Sequence, residues 1–224
     1  MKLILSLLAT VMFGVGAIYL QTDGFTAVTT ETARRNSIAQ QPRPVPDAQL
    51  DAGDGVDSTL LHMLKADGRV TIIDFIYTRC MSICRAMGSD FQQLQAYIEQ
   101  NQLGNRVRLL SISFDPADDA KSLNDYAKSM KADSRYWQFV MPTRQNERQA
   151  LLETFGITVI PTELGQFEHN AAYHIVTPDG RLSRVVDFTE PRLALIYSLS
   201  LRAAISAAAA IPSPYSAVAF SDSP

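Results

Sequence analysis

The sequence predicts an α/β domain with a mixed central β-sheet flanked by helices. Two apolar runs with little alternation, 69–77 and 106–114, are typical of strands covered on both faces, and a helical pattern follows each of them. Two later β-rich runs are joined by Pro178-Asp179-Gly180, a strong turn signal because proline presets φ and glycine accepts a positive φ. A parallel crossover combined with an antiparallel hairpin gives a mixed sheet.

The elements follow one another along the chain. After the strand "RVTIIDFIY" (69–77), the apolar residues of "ICRAMGSDFQQLQAYIEQ" recur at helical spacing. A helix is predicted at 117–130, with acidic residues in its first turn where the helix dipole favours them, and another at 146–156, ending in glycine. The other predicted elements are strands at 106–114, 136–141, 171–177 and 181–188, and a closing helix that begins at Pro191.

The N-terminal stretch "LILSLLATVMFGVGAIYL" (3–20) carries no charge. As a helix it would be about 27 Å long, enough to cross a bilayer core. It is therefore either a transmembrane anchor or a signal peptide cleaved near the small residues at 15–17, and its length favours the anchor. Both interpretations place the rest of the chain outside the cytoplasm, because Lys2 is the only basic residue before the segment.

Composition divides the chain into four parts. The stretch after the apolar segment is polar, lacks apolar periodicity and ends in three prolines, as expected of a flexible linker. The last residues are small, polar and proline-containing, as expected of a disordered tail. We predict an N-terminal anchor or signal peptide at 1–20, a linker at 21–49, a folded domain at 50–208 and a tail at 209–224.

The overall composition, net charge and cysteine count exclude some functions. Hydrophobic residues make up 46% of the chain and charged residues 19%, which is ordinary globular usage. The net charge of −3 shows no basic excess, so we expect no nucleic-acid partner. Two cysteines are too few for a disulfide scaffold, which leaves free thiols, a redox pair or part of a metal site.

The two cysteines, Cys80 and Cys84, are separated by three residues at the predicted strand-to-helix junction. In the first turn of the helix, free N–H groups and the helix dipole stabilise a thiolate and lower the pKa of the cysteine there, Cys84. Arg79 and Arg85 add positive charge nearby. Two thiolates are soft ligands that select Cu(I) or Zn, and a metal would need further ligands from elsewhere in the chain.

Three histidines are candidates for that further ligand. His62 lies in an amphipathic run and His174 lies inside a predicted strand, so packing or surface roles are expected for both. His169 lies in the irregular polar stretch "TELGQFEHN", and loops at strand ends often hold reactive side chains. Spacing alone does not bring His169 to the cysteines. The residues by themselves give a cysteine pair and one candidate histidine.

The same cysteines permit other functions. In a thiol–disulfide oxidoreductase, Cys80 would attack as an exposed thiolate and Cys84 would resolve the mixed disulfide. A peroxide-reducing thiol enzyme is disfavoured because no proline lies between Asp74 and Cys80. A purely structural disulfide is also disfavoured, since cross-linking so short a loop adds little stability.

Three stretches, "IIDFIYTRCMSIC", "LLSISFDPADDAKSLNDYA" and "EHNAAYHIVTPDGRL", resemble the SCO/SenC family of thioredoxin-like copper proteins. The resemblance covers most of residues 65–205 and includes the plan of an anchor followed by a tether. In that family, a histidine about nine residues before a Pro-Asp-Gly turn completes a copper site begun by Cys-x-x-x-Cys. His169 precedes Pro178 by nine positions, so the resemblance implies that Cys80, Cys84 and His169 bind copper as Cu(I) or Cu(II).

The resemblance also implies a thioredoxin-like fold and a metallochaperone rather than an enzyme. The expected client is a membrane-associated cuproenzyme, with the dinuclear copper centre of a cytochrome c oxidase subunit as the recipient, and a copper donor protein is a further candidate partner. The domain would lie on the periplasmic side of the cell inner membrane on a single-pass anchor, or in the periplasm after cleavage. The alternative function is an oxidoreductase that uses Cys80 and Cys84 to keep a client's copper-ligand cysteines reduced.

Two features depart from the family pattern. Arg85 follows the second cysteine where family members commonly have proline, and "MSI" between the cysteines lacks the acidic and prolyl residues often found there. Asp115 matches a family position near the site, but we assign it no ligand role. "VIPTE" resembles the Ile-Pro-Thr of thioredoxin, where the proline is cis; Pro161 lies ten residues before the hairpin strand, so we predict a trans loop proline.

Overall fold

The computed structural model describes residues 2–21, 29–52, 58–80 and 82–210. The strands in this part of the chain are β1 (Arg43–Pro44), β2 (Gln49–Asp51), β3 (Ser58–Thr59), β4 (Val70–Ile76), β5 (Val107–Ser113), β6 (Trp137–Pro142), β7 (Val159–Pro161), β8 (Phe167–His169), β9 (Ala172–Val176) and β10 (Arg181–Asp187). The helices are α1 (Lys2–Gln21), α2 (Thr30–Gln40), α3 (Leu60–Asp67), α4 (Ile83–Gln100), α5 (Ala120–Ser129), α6 (Gln145–Phe155) and α7 (Pro191–Ala210), with a 3₁₀ turn at Glu163–Gly165.

Eight of these strands form one mixed sheet in the order β1-β10-β9-β4-β5-β6-β2-β3. β4, β5 and β6 are parallel, whereas β9 is antiparallel to both β4 and β10. The predicted mixed sheet and the predicted hairpin are therefore confirmed. At the hairpin turn Gly180 has φ 78°, a left-handed conformation that glycine adopts without steric cost. β7 and β8 form a second, separate sheet by pairing with each other.

The core is centred on β4 and β5, in which every residue is buried. α4 contributes the stripe predicted from its spacing, since Met87, Phe91, Leu94 and Ile98 are all buried. Each such side chain contributes about 1.5–3 kcal/mol when fully buried. α4 and α7 pack against each other and against the central strands. This packing fixes the end of β4 and the start of α4, where the cysteines lie.

The prediction of a flexible linker at 21–49 is wrong for residues 29–49. Thr29 caps α2 by accepting a hydrogen bond from the backbone N–H of Thr32, and α2 packs on β10. Ile38, Val45 and Ala48 are 0–3% exposed, so this stretch forms part of the core. A few isolated apolar residues within a polar stretch gave no periodic signal, and their burial depends on strands far along the chain. Residues 22–28 lie outside the described part.

Both ends of the described chain are helical. α1 covers the predicted apolar segment, and its side chains are largely exposed, with Phe13 at 80% and Leu20 at 82%. Among the described residues, the helix that is long and apolar enough to cross a membrane is Pro191–Ala209; the apolar stretch Ser6–Leu20 is shorter. The first half of α7 packs on the sheet through buried Ala194 and Leu195. α7 continues to Ala210, past the predicted domain end at 208, and residues 211–224 lie outside the described part.

Candidate metal site

The loop between β4 and α4 is held by two aspartates from the loop after β5. The Asp118 carboxylate accepts hydrogen bonds from the backbone N–H of Thr78 at 2.9 Å and from its hydroxyl at 2.5 Å. A third bond comes from the hydroxyl of Ser113 at 2.6 Å. The buried Asp115 carboxylate pairs with the Arg79 guanidinium at 2.7 Å. Asp115 therefore helps to position this loop. The helix predicted at 117–130 would have placed Asp118 in its first turn, but α5 begins at Ala120 and Asp118 lies in the loop before it.

Cys80 lies in this loop and Cys84 in the first turn of α4, as predicted. Both are free thiols, and the backbone N–H of Cys84 donates to the Cys80 sulfur at 3.4 Å. The expectation that Cys80 would be an exposed thiolate is wrong, because Cys80 is 1% exposed and Cys84 is 0% exposed. Any reagent that reaches these sulfurs must first displace part of the protein.

The two thiols differ in acidity. A hydrogen bond from the Cys84 thiol holds the pKa of Cys80 well below its usual range, although burial opposes this shift. The same bond, together with burial, raises the pKa of Cys84 far above its usual range. The pair thus shares one proton, with the thiolate at Cys80 and the proton at Cys84. The prediction that the helix terminus would lower the pKa of Cys84 is wrong, since the neighbouring thiolate dominates.

His169 lies at the end of β8, within the β7–β8 hairpin rather than in an irregular loop. Its Nδ1 lies 3.0 Å from the carbonyl oxygen of Asn170. Since a carbonyl oxygen only accepts, Nδ1 carries a proton, and this bond fixes the ring so that Nε2 points the other way. That Nε2 lies 3.4 Å from the Cys84 sulfur. The Nδ1 bond to a backbone carbonyl and the Nε2 atom facing the cysteines are the orientation of a metal-binding histidine.

The three predicted ligands converge. The Cys80 and Cys84 sulfurs and the ligand nitrogen of His169 all lie within 4.8 Å of one another. Metal–sulfur bonds are about 2.3 Å and metal–imidazole bonds about 2.0 Å, so two ligand atoms of a trigonal or tetrahedral ion lie about 3.5–4.0 Å apart. A contraction of about 1 Å or less would therefore let the three atoms share one ion. Two sulfurs and one imidazole form a soft donor set suited to copper or zinc.

The other two histidines take no part in this cluster. His62 is exposed on α3. His174 is completely buried on β9, and its Nε2 donates to the carbonyl oxygen of Phe155 at 3.1 Å. Burial lowers the pKa of His174 to about 3, so it is neutral. Pro161 has a trans peptide bond, as predicted, but it lies in β7 opposite Phe167 rather than in a loop.

Two residues near the site were missed by the sequence analysis. Tyr77, which follows β4, is 2% exposed and its ring lies edge-on to His169 with the centroids 6.1 Å apart. Asp74, on β4, is fully buried, and neither carboxylate oxygen has a hydrogen-bond partner among the residues that the structure describes. Burial raises the pKa of Asp74 to about 7, although the hydroxyl of Ser111 on the neighbouring strand partly offsets this. A strand pattern predicts burial but does not show which polar side chains lie beneath a site.

The fold and the site define a class of protein. A mixed sheet flanked by helices, with Cys-x-x-x-Cys at a strand-to-helix junction and a histidine facing it, is a thioredoxin-like domain with a thiolate–imidazole site. The model of the SCO1/SenC family matches residues 57–202, well over half of the chain, and the protein belongs to this family.

Individual relatives agree with this assignment. The SCO1 protein homolog of Bacillus subtilis (strain 168) is 30% identical over 118 residues, which are 51% of this chain. The match spans 60% of the length of that relative. The solved structure of BsSco, a member of the Sco family of cytochrome c oxidase assembly proteins with a disulfide switch, is 27% identical with a TM-score of 0.62, over 74% of this chain and 96% of BsSco.

A copper-containing structure has the same fold. Bradyrhizobium japonicum ScoI, solved with copper bound, is 20% identical with a TM-score of 0.56. The similarity covers 72% of this chain and 98% of ScoI. At this identity the likeness shows that the fold is shared.

Proposed function

We propose that this protein binds one copper ion as cargo through Cys80, Cys84 and His169. It then delivers the ion to a membrane-associated cuproenzyme during assembly of the dinuclear copper centre of cytochrome c oxidase. The observation that carries the proposal is the convergence of two sulfurs and an Nδ1-protonated imidazole within 4.8 Å. Membership of the SCO1/SenC family supports the assembly role.

The donor set suits both oxidation states of copper. The two thiolates favour Cu(I), and the imidazole adds affinity for Cu(II). His169 is carried by a small hairpin, whereas the cysteines are fixed at the edge of the core. The imidazole can therefore leave the ion before the sulfurs do, which favours transfer to a client.

A matched pair of histidine variants tests the site. His169→Ala in the full-length reduced protein should lower the affinity for Cu(II) by about tenfold or more, because one of three ligands is lost. His62→Ala serves as the control, since His62 is exposed on α3 and is not one of the three clustered residues. The affinity is measured by competition with a chelator of known strength. Equal affinities for the two variants would exclude the three-ligand site.

A second candidate function is a thiol–disulfide oxidoreductase that keeps a client's copper-ligand cysteines reduced. The acidity difference between the two thiols favours it, since Cys80 holds the thiolate and Cys84 the proton. The Cys80 thiolate would attack the client disulfide and release one client thiolate, which takes up a proton. Cys84 would then lose its proton and attack the Cys80 sulfur, releasing the second client thiol and leaving a Cys80–Cys84 disulfide. Reduction of a model disulfide that is unaffected by His169→Ala, in a protein that binds no copper when reduced, would favour this function.

The location follows from the N-terminal segment. We place the folded domain on the periplasmic side of the cell inner membrane, with α1 as a single-pass anchor, and release into the periplasm by cleavage as the alternative. The exposed apolar side chains of α1 support this placement. The mass of the mature N-terminal peptide from membrane fractions distinguishes the two, because cleavage would remove the apolar segment.

A further inference from the structure

The cysteines are buried, yet both proposed functions require that something reach them. Cys80 and Cys84 are 1% and 0% exposed, and His169 lies directly against Cys84. His169 belongs to the β7–β8 hairpin, whose two strands pair with each other and with no strand of the main sheet in the described chain. Movement of this hairpin would uncover the sulfurs without breaking the sheet.

The base and the far end of the hairpin are held differently. At the base, the Asn170 side chain accepts from the backbone N–H of Thr158 at 2.7 Å and donates to the carbonyl oxygen of Gly156 at 2.8 Å. At the far end, a Cβ placed on Gly165 would lie 3.5 Å from the Arg79 guanidinium, so the 3₁₀ turn lies over the cysteine loop. The base is thus fixed to the chain after α6, and the far end rests on the loop that carries Cys80.

Tyr77 joins the hairpin to the core. Its hydroxyl accepts from the backbone N–H of Phe167 at 3.4 Å, and it lies 3.2 Å from two acceptors, the carbonyl oxygen of Phe167 and the side-chain oxygen of Gln166. Its ring packs edge-on against Phe167, with the centroids 5.3 Å apart. Tyr77 itself is 2% exposed and directly follows β4, so it moves with the core rather than with the hairpin.

We propose that Tyr77 is a positioning residue whose hydroxyl latches the β7–β8 hairpin to the core. With the latch closed, His169 stays against Cys84 and both sulfurs are covered. With the latch open, the hairpin turns about its base, the imidazole withdraws and the sulfurs become accessible to a copper donor, a client or a disulfide. The effect on copper rests on the proposed copper site, whereas the effect on access to the cysteines does not.

The test compares two tyrosine variants of the full-length protein, reduced, free of metal and in a mild detergent. Tyr77→Phe keeps the ring and removes the hydroxyl. Tyr173→Phe is the matched control, because Tyr173 is also buried and its hydroxyl donates a hydrogen bond to Asp90 on α4 at 2.9 Å, rather than to the hairpin. The rate of alkylation of Cys80 by iodoacetamide is measured by peptide mass spectrometry, and backbone hydrogen exchange is followed on the same samples.

Losing one accepted and one donated hydrogen bond should raise the open population, and with it the alkylation rate, by about five- to tenfold. Exchange of the Phe167 and His169 amides should accelerate by a similar factor, while the β4 and β5 amides keep the wild-type rate. A Tyr77→Phe alkylation rate within twofold of that of Tyr173→Phe would overturn the proposal. Equal acceleration in β4 and β5 would also overturn it, because that result would show general loosening.

A copper measurement separates the two proposals. Cu(II) should dissociate about five- to tenfold faster from Tyr77→Phe than from Tyr173→Phe, because the imidazole leaves more often. If the reduced wild-type protein binds no copper but Tyr77→Phe still speeds alkylation, the proposed role of Tyr77 is supported and the proposed copper site is excluded. If the cysteine–histidine site binds copper but Tyr77→Phe changes neither the alkylation rate nor the Cu(II) dissociation rate, the copper site is supported and the proposed role of Tyr77 is excluded.

Discussion

Asp74 should make the protein less stable as the pH rises, and Asp74→Asn should remove that effect. The carboxyl is fully buried and has no hydrogen-bond partner within the described part of the chain, and burial raises its pKa from 3.8 to about 7. Between these values the folded state holds a proton that the unfolded chain has released. Stability is therefore lost as the pH rises from about 4 to about 7, and the three-unit difference corresponds to about 4 kcal/mol.

The size of the effect is read as a difference of differences. The effect of Asp74→Asn on packing is the same at all pH values. The free energy of unfolding of the variant relative to wild type is therefore measured at pH 4 and at pH 8. The difference between these two values is the free energy that comes from ionisation of Asp74. We expect the variant to gain about 4 kcal/mol relative to wild type between pH 4 and pH 8. Urea unfolding of the reduced, metal-free protein is followed by the fluorescence of Trp137, which is the sole tryptophan and 1% exposed.

Asp125→Asn is the control for Asp74→Asn. Asp125 is 54% exposed, and its hydrogen bond to Lys121 lowers its pKa, so any pH-dependent change should be small and of the opposite sign. A relative stability of Asp74→Asn that is the same at pH 4 and pH 8, within about 1 kcal/mol, would refute the reasoning. It would mean that the carboxylate is solvated or hydrogen-bonded when ionised.

Three further predictions concern pH and the cysteine loop. The pKa of His174 is lowered from 6.5 to about 3, so its own contribution to stability falls as the pH drops below 6.5, by up to about 5 kcal/mol. In urea unfolding, His174→Leu should therefore become more stable relative to wild type as the pH drops, whereas the relative stability of His62→Leu should stay constant. Asp118→Asn should lower the free energy of unfolding by about 2 kcal/mol and speed alkylation of Cys80, because the carboxylate accepts three hydrogen bonds. An unchanged free energy of unfolding and alkylation rate would contradict the role of Asp118 in holding the cysteine loop. Copper binding should release one net proton, from Cys84, so the affinity for copper should rise about tenfold per pH unit. The number of protons released is measured by calorimetry in buffers of different ionisation heat. Release of two protons would show that Cys80 is a thiol in the metal-free protein.

The sequence predicted the elements with strong periodicity. The buried strands β4 and β5, the helix after the cysteines and the hairpin at Pro178-Asp179-Gly180 were all found as expected. These elements are specified by local patterns that repeat every two or every 3.6 residues. The two cysteines were found at the predicted junction for the same reason.

The parts that were missed depend on distant contacts. β7 and β8 have three residues each, too few for a periodic pattern, and they carry His169. The residues alone could not bring His169 to the cysteines, and only the family resemblance did so. The burial of Cys80 and the reversed acidity of the pair likewise arise from the hairpin and from the second sulfur, neither of which a local pattern describes.

Copper K-edge X-ray absorption tests the central claim most directly. The full-length protein is loaded with one equivalent of Cu(II), and the atoms bound to the metal are counted for the wild type and for His169→Ala. We predict two sulfur ligands and one imidazole nitrogen in the wild type, with the imidazole lost and both sulfurs kept in the variant. Copper bound by nitrogen and oxygen alone, or an unchanged imidazole signal in His169→Ala, would contradict the site formed by Cys80, Cys84 and His169.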